Sequence, residues 1–402
     1  MKDMDPRRIW FDPPHLRWGR VFATVLIAST LLGLWVAQRR GLFDEPQNRV
    51  VVAAGAAASG VLPRGERNAV PEAAATAAAA PPAKAASSVE LICGLGAVSF
   101  DPGDEKQAEQ AAHEAFDKLQ AHRERVLPGW LEEMKSSADE QVQAGAWFLE
   151  AREALAKQAE ATNKAEALDS LDELARLAER SRDPLPYALA FQACELFQRV
   201  ATASACSVLR VEAWAERDPG NAFPWLVAAS RQGVTAQRRS QYIENAIAAG
   251  EMRGTWGAMH GVLTKAAPAN EAPLDRSVRF FEAMAADSVV AVPQSIVVDH
   301  CSDTALRQGA RRQQCERLAA FLTDKGDSYL FAGVGNGIGR RLGWSEDRLA
   351  RHKAEQEAFI GALPPDILGA GCDGLARAEA YFADVARYGE RGALRQRQQA
   401  ER

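Results

Sequence analysis

The chain has 402 residues, with 53 acidic against 48 basic side chains and a formal net charge of −5. That balance leaves no basic surface of the kind a nucleic acid requires and excludes that partner. Hydrophobic residues make up 47% of the chain, enough for a sizeable core.

Residues 1–20 carry Lys2, Arg7, Arg8, Arg17 and Arg20, and an uncharged run, VFATVLIASTLLGLWVA, follows from Val21 to Ala37. Arg39 and Arg40 close the run, and Trp18 and Trp35 stand where interfacial anchors belong, so residues 21–38 read as one transmembrane helix. The more basic flank stays in the cytoplasm. This predicts a cytoplasmic segment 1–20 and a translocated remainder, in a single-pass protein of a bacterial inner membrane with its large part in the periplasm. Arginines directly after the run, where a cleavage site would need small residues, favour an uncleaved anchor.

Residues 39–88 are rich in Ala, Pro and Gly, as in PEAAATAAAAPPAKAASS, and the stretch from 46 onward has no aromatic residue or cysteine. Pro71, Pro81 and Pro82 interrupt any helix the alanines start, so the segment reads as a disordered, flexible linker.

Residues 89–390 read as an all-α domain of helical hairpins. In EALDSLDELARLAERS, Leu168, Leu171, Leu174, Ala175 and Ala178 recur at spacings of three and four on one face. Asp183 as N-cap and Pro184 at the first helical position open the next helix, whose apolar face holds Leu189 and Ala193. Longer helices are predicted over 104–126 and 139–161, and shorter ones over 205–217, 223–231, 237–249 and 276–286. SVVAVPQSIVVD, residues 288–299, is β-branched but divided by Pro293, and reads as an extended connection followed by a buried helical turn. The ending RGALRQRQQAER, residues 391–402, reads as a disordered basic tail.

Around residues 205–266, Pro219 followed by Asn221 and Trp225, with Trp256 one unit later, resembles the junctions of tetratricopeptide-type helical repeats. The resemblance implies stacked helix pairs with a concave surface that binds a protein or peptide. Trp225 is followed by Leu226, Val227, Ala228 and Ala229 where the repeat pattern has a Leu-Gly pair, and an irregular bundle is the alternative.

Catalytic patterns are few. Gly333, Gly335, Gly337 and Gly339 miss both nucleotide-loop spacings, since Ile338 stands where a dinucleotide fingerprint needs a small residue and no Lys-Ser or Lys-Thr pair follows, and Gly335 and Gly339 read as close helix packing or a turn. Arg340 and Arg341 are expected in solvent. The six histidines form no pair at metal-ligand spacing, so no metal and no cofactor are predicted. Asp299-His300-Cys301 offers a base beside a thiol, but neighbours on a chain point apart, which favours a loop histidine beside a bridged cysteine.

These features predict a membrane-anchored envelope protein without catalytic activity, whose helical domain binds a protein or peptide partner through Trp214, Phe223, Trp225 and Trp256. The alternative is an envelope enzyme, such as a cell-wall or lipid hydrolase, with a site assembled from distant residues. All six cysteines lie beyond the linker, and an oxidising compartment favours bridges. Spacing predicts Cys194–Cys206 across a helical hairpin and Cys301–Cys315 across a break at Gly309; elimination leaves Cys93–Cys372.

Overall fold

A computed structural model describes residues 87–100, 104–156, 163–197, 205–231, 233–289, 294–362 and 371–400; the anchor and nearly all of the linker lie outside them. Among the described residues no helix is long and apolar enough to cross a membrane.

The described chain opens on a small antiparallel hairpin, β1 (Ser87–Val89) against β2 (Val98–Phe100), with Ser87 opposite Phe100. A strand thus lies across the expected boundary at Val89. The turn holds Cys93 and approaches the start of a later helix so closely that a Cβ on Gly94, at φ +87°, would lie 2.5 Å from the backbone nitrogen of Leu274. Only glycine fits there.

Helices make up the rest. Asp104 opens α1 (Glu105–Lys135) by accepting the amides of Lys106 and Gln107. Then come α2 (Glu140–Ala156), α3 (Asn163–Arg180) and α4 (Pro184–Phe197), the last opened by Asp183, whose Oδ1 accepts the Leu185 amide at 2.9 Å. A 3₁₀ turn (Ala205–Val208) leads to α5 (Val211–Arg217), α6 (Phe223–Ser230), α7 (Ala236–Ala249), α8 (Ala258–Ala266) and α9 (Pro273–Val289). Two short helices, α10 (Gln294–His300) and α11 (Asp303–Leu306), precede α12 (Gly309–Lys325), α13 (Tyr329–Leu342), α14 (Glu346–Ala362), α15 (Gly371–Tyr388) and α16 (Glu390–Ala400). Helices consecutive in sequence pack as pairs: α1 on α2, α2 on α3, α3 on α4, α6 on α7, α8 on α9, α12 on α13 and α15 on α16. The expected all-helical architecture is observed.

Small residues bring the pairs together. A Cβ on Gly335 would meet the Ala319 carbonyl oxygen at 2.6 Å, so Gly335 serves the contact of α13 with α12, and Gly339 makes room for Trp344; Arg340 and Arg341 are exposed. In α2, Ala144, Ala146 and Ala151 are buried, and a Cβ on Gly145 would lie 2.5 Å from Val262 of α8. A large core runs from Leu127 through Leu342, and a smaller one gathers Cys93, Phe280, Leu375, Tyr381, Phe382, Val385 and Ala393. Of the β-branched stretch, Val297 is buried in α10, while residues 290–293 lie outside the described residues.

All three expected bridges form, two where spacing placed them and the third where elimination left it. Cys93–Cys372 joins the first turn to α15 with Cα atoms 4.4 Å apart, Cys194–Cys206 joins α4 to the 3₁₀ turn, and Cys301–Cys315 joins the residue after α10 to α12, the latter two at 5.7 Å. Helix α4 ends at Phe197 and α12 begins at Gly309, the breaks those two bridges need. Three disulfides fit a domain that matures in an oxidising, extracytoplasmic compartment.

The expectation of a disordered tail at 391–402 is overturned for residues 391–400, which belong to α16. Its first turn is locked into a joint with the loop between α12 and α13. Arg391 donates to the carbonyls of Thr323 (2.8 Å) and Gly326 (3.1 Å) and to Glu355, Glu390 accepts the Tyr329 amide at 2.8 Å, and Ala393 and Leu394 are buried. Asp327 accepts the Gly254 amide at 2.6 Å in the same joint. Burial pushes the Asp327 carboxyl up to about 6; burial and the nearby Asp327 charge push Glu390 up to about 7. The basic composition of the tail hid a helix held by one arginine and two apolar side chains.

Candidate functional site

Among the four aromatic residues expected to bind a partner, Trp214 (1% exposed) and Phe223 (2%) are core residues and present no surface. They sit in a run of ring contacts, Phe191 to Trp214 at 5.5 Å, Trp214 to Phe223 at 5.9 Å and Phe223 to Phe331 at 6.1 Å, which ties α4, α5, α6 and α13 together. That overturns their assignment as contact residues: the apolar spacing that made them conspicuous is what buries them. Trp225 is half-buried and stacks on Tyr242 of α7 at 6.1 Å, whereas Trp256 is half-buried against Phe382 of the smaller core. The four share no common face.

The chemistry gathers where α7, α10, α11 and α12 meet, at a pocket of about 230 Å³ bordered by Arg239, Asp299, His300, Gln308 and Arg311. His300 ends α10 and is buried, so the expected loop histidine is a helix-terminal one. The neighbouring bridge fixes it: Cys301 is joined to Cys315, and the residue before each cysteine, His300 and Gln314, meet with Nε2 to Oε1 at 2.8 Å.

Hydrogen-bond accounting assigns the tautomer. The Gln314 Nε2 donates to the Ser240 carbonyl (2.9 Å) and to Glu244 (2.8 Å), and its Oε1 accepts the Ser240 hydroxyl (2.9 Å). Both amide protons are thus used, so Gln314 meets His300 as an acceptor and His300 Nε2 carries the proton. A terminal nitrogen of Arg311 lies against the imidazole, 2.5 Å from Nδ1 and 2.6 Å from Nε2. Burial, with Arg311 and Arg239 adding positive charge, pushes the imidazole down to about 4 against the support of Gln314, and it is neutral at physiological pH.

The arginines differ from most in this fold. Arg239 is held by donating to the carbonyls of Ala229 (3.0 Å) and Val234 (3.4 Å), and Arg311 is held by His300. Neither forms an ion pair among the described residues, although both are half-buried. Among the described residues, the only acidic group on the pocket is Asp299, which is exposed at the rim. Helix α12 begins beside it with no side-chain cap bond from Gln308 and no acidic residue in its first turn, which instead carries Arg311.

Among the described residues no group of three His, Cys, Asp or Glu side chains is placed to hold a metal ion. His122 pairs with Asp275 at 2.6 Å and His260 is buried against Phe280 and Phe382, far from any such role. The pocket was reachable from sequence through two signals: a bridge predicted between Cys301 and Cys315 brings His300 and Gln314 together, and GARRQQC opens a helix with cations where acids are favoured. Arg239, more than sixty residues earlier, had no signal.

No protein-family model, curated protein or solved structure matches this chain.

Proposed function

We propose that this chain is a membrane-anchored protein of a bacterial envelope whose periplasmic helical domain binds a protein or peptide partner, and that the pocket between α7 and α12 is part of the contact. The observation that carries the reading is the state of His300. Its Nε2 proton is committed to Gln314, the Arg311 guanidinium is packed against the ring within 2.6 Å of both nitrogens, and its basicity is depressed, so it is poorly placed to take a proton from a substrate. What remains unsatisfied is positive charge on two pre-positioned guanidinium groups, an arrangement suited to holding a group in place. The likeness of residues 205–266 to tetratricopeptide-type repeats supports the same reading, and the uncharged run of residues 21–38 followed by an Ala- and Pro-rich linker supplies a tether.

A photo-activatable cross-linking residue placed at Gln308 in the full chain, in cells, should capture one defined envelope partner, and the same residue at exposed Lys353 should not. Capture of the same proteins at both positions, or hydrolysis of isolated envelope material that depends on His300, would count against it and favour an enzyme.

A further inference from the structure

We infer that the pocket bordered by Arg239, Arg311 and His300 is a carboxylate-binding site, built for a singly charged group such as an acidic side chain or chain terminus of a peptide. This rests on the binding role proposed above and names the chemistry of the group bound.

The first argument is charge accounting. Several buried and half-buried arginines elsewhere are matched, Arg123 and Arg152 by Glu282, Arg279 by Glu271 and Glu379, and Arg391 by Glu355, while Arg217 is held by the carbonyls of Ser181, Ala213 and Glu179. Among the described residues, Arg239 and Arg311 converge on a pocket with no ion-pair partner, and Asp299 at its rim is the one acidic group on its border. Two cations and one anion leave one net positive charge, which a carboxylate balances and a doubly charged phosphate exceeds.

The second argument is pre-organisation. Arg239 uses Nε and one terminal nitrogen on the carbonyls of Ala229 and Val234, so its other terminal nitrogen is oriented with no partner of its own. Arg311 uses one terminal nitrogen on His300, and its remaining donors have none. Guanidinium groups held in this way lose little freedom when they take a carboxylate, whose two oxygens match the fork of donors. The neutral histidine is part of the device: protonated, it would repel both arginines. The disulfide Cys301–Cys315 keeps it there by holding the His300–Gln314 contact.

The third argument is the start of α12. With no cap bond from Gln308 and no acid in its first turn, this 17-residue helix presents unmatched amides on the same border as Arg311.

Isothermal titration of the detergent-solubilised full chain with N-acetylglycine, which carries a single carboxylate, and separately with inorganic phosphate, tests the assignment. Saturable binding of the carboxylate is expected, at least ten-fold tighter than phosphate. It should fall at least ten-fold in Arg239→Gln and in Arg311→Gln and stay within two-fold in Arg351→Gln, which removes the same charge from the exposed face of α14. Carboxylate-dependent protection of Arg239 and Arg311 from phenylglyoxal in the unaltered protein reads the same site without a variant. Absence of saturable binding, equal binding by all three variants, or tighter binding of phosphate would overturn the inference. If the Gln308 cross-link persists while carboxylate binding fails, the partner-binding role stands and only the carboxylate assignment falls.

Discussion

Two groups of arginines sit in this domain at similar depth and meet opposite fates. Where α1, α2 and α9 cross, Arg123 and Arg152 both bind Glu282, with Glu153 taking a further bond from Arg123, and Glu282 is held below its usual range because the two guanidinium groups outweigh its burial. Where α7, α10 and α12 meet, Arg239 and Arg311 are held by carbonyls and a neutral histidine, and their charge is left over. The first arrangement neutralises itself and needs nothing from outside. The second is geometrically as ordered and electrically incomplete, and that separates a structural charge cluster from a receptive one.

The comparison can be broken at several points. The largest effect concerns the frame around both regions: replacing Cys93 and Cys372 by serine opens a loop with a sequence separation of 279, and the chain-entropy model puts the loss at about 5 kcal/mol. Thermal or denaturant unfolding of the double variant should show it. Glu282→Ala leaves the buried Arg123 and Arg152 with only Glu153 to share and should cost about 3–5 kcal/mol; a shift in the denaturation midpoint equivalent to less than 1 kcal/mol would mean that water reaches the cluster.

A smaller effect is pH-dependent and belongs to the α16 joint. A carboxyl whose pKa is raised on folding contributes stability that is fully present below its ordinary range near 4 and is lost as pH rises through the folded value, here about 6 for Asp327 and about 7 for Glu390. Glu390→Gln keeps an acceptor for the Tyr329 amide and removes that loss. Its melting temperature should therefore gain on the unaltered protein by a few degrees between pH 5 and pH 8, and a constant difference across the range would refute the assignment. His260 and His300, each pushed down to about 4, act oppositely, supporting the fold above about 6.5 and losing that support as pH falls toward 4. They are common to both proteins and cancel in the difference. The smallest effect is the sharpest contrast with Glu282: Arg311→Gln should change stability by less than about 1 kcal/mol, because no buried counter-charge is orphaned.

Local signals carried the helices. The stripe of Leu171, Leu174 and Ala178, the Asp183-Pro184 start and the Gly309 break all describe interactions within a few residues, and each has its expected consequence in the fold. The bridges were legible for the same reason in two cases, and by elimination in the third. Trp214 and Phe223 were misread because a large aromatic side chain looks the same in a sequence whether it faces a partner or Phe331. The tail was misread because composition outvoted Arg391, Ala393 and Leu394, whose partners lie in α14 and the loop before α13. The pocket needed Arg239 brought to His300 and Arg311 from another helix, and no local rule reports that a charge will have no partner.

The bridge between Cys93 and Cys372 also has a mechanical meaning. A pull applied through the residues that precede Cys93 bypasses α1 and the helices after it and passes directly into α15, because the covalent path from residue 93 to residue 372 is one disulfide long. With the bridge intact, stretching the chain from its two ends extends only what lies outside it. The 279 residues of separation, roughly 900–1,000 Å of contour when fully drawn out, stay unloaded until the bond is reduced. The domain can be held on a line under tension that runs through α15 and α16, while the helices between Cys93 and Cys372 and the pocket they form need not feel the load.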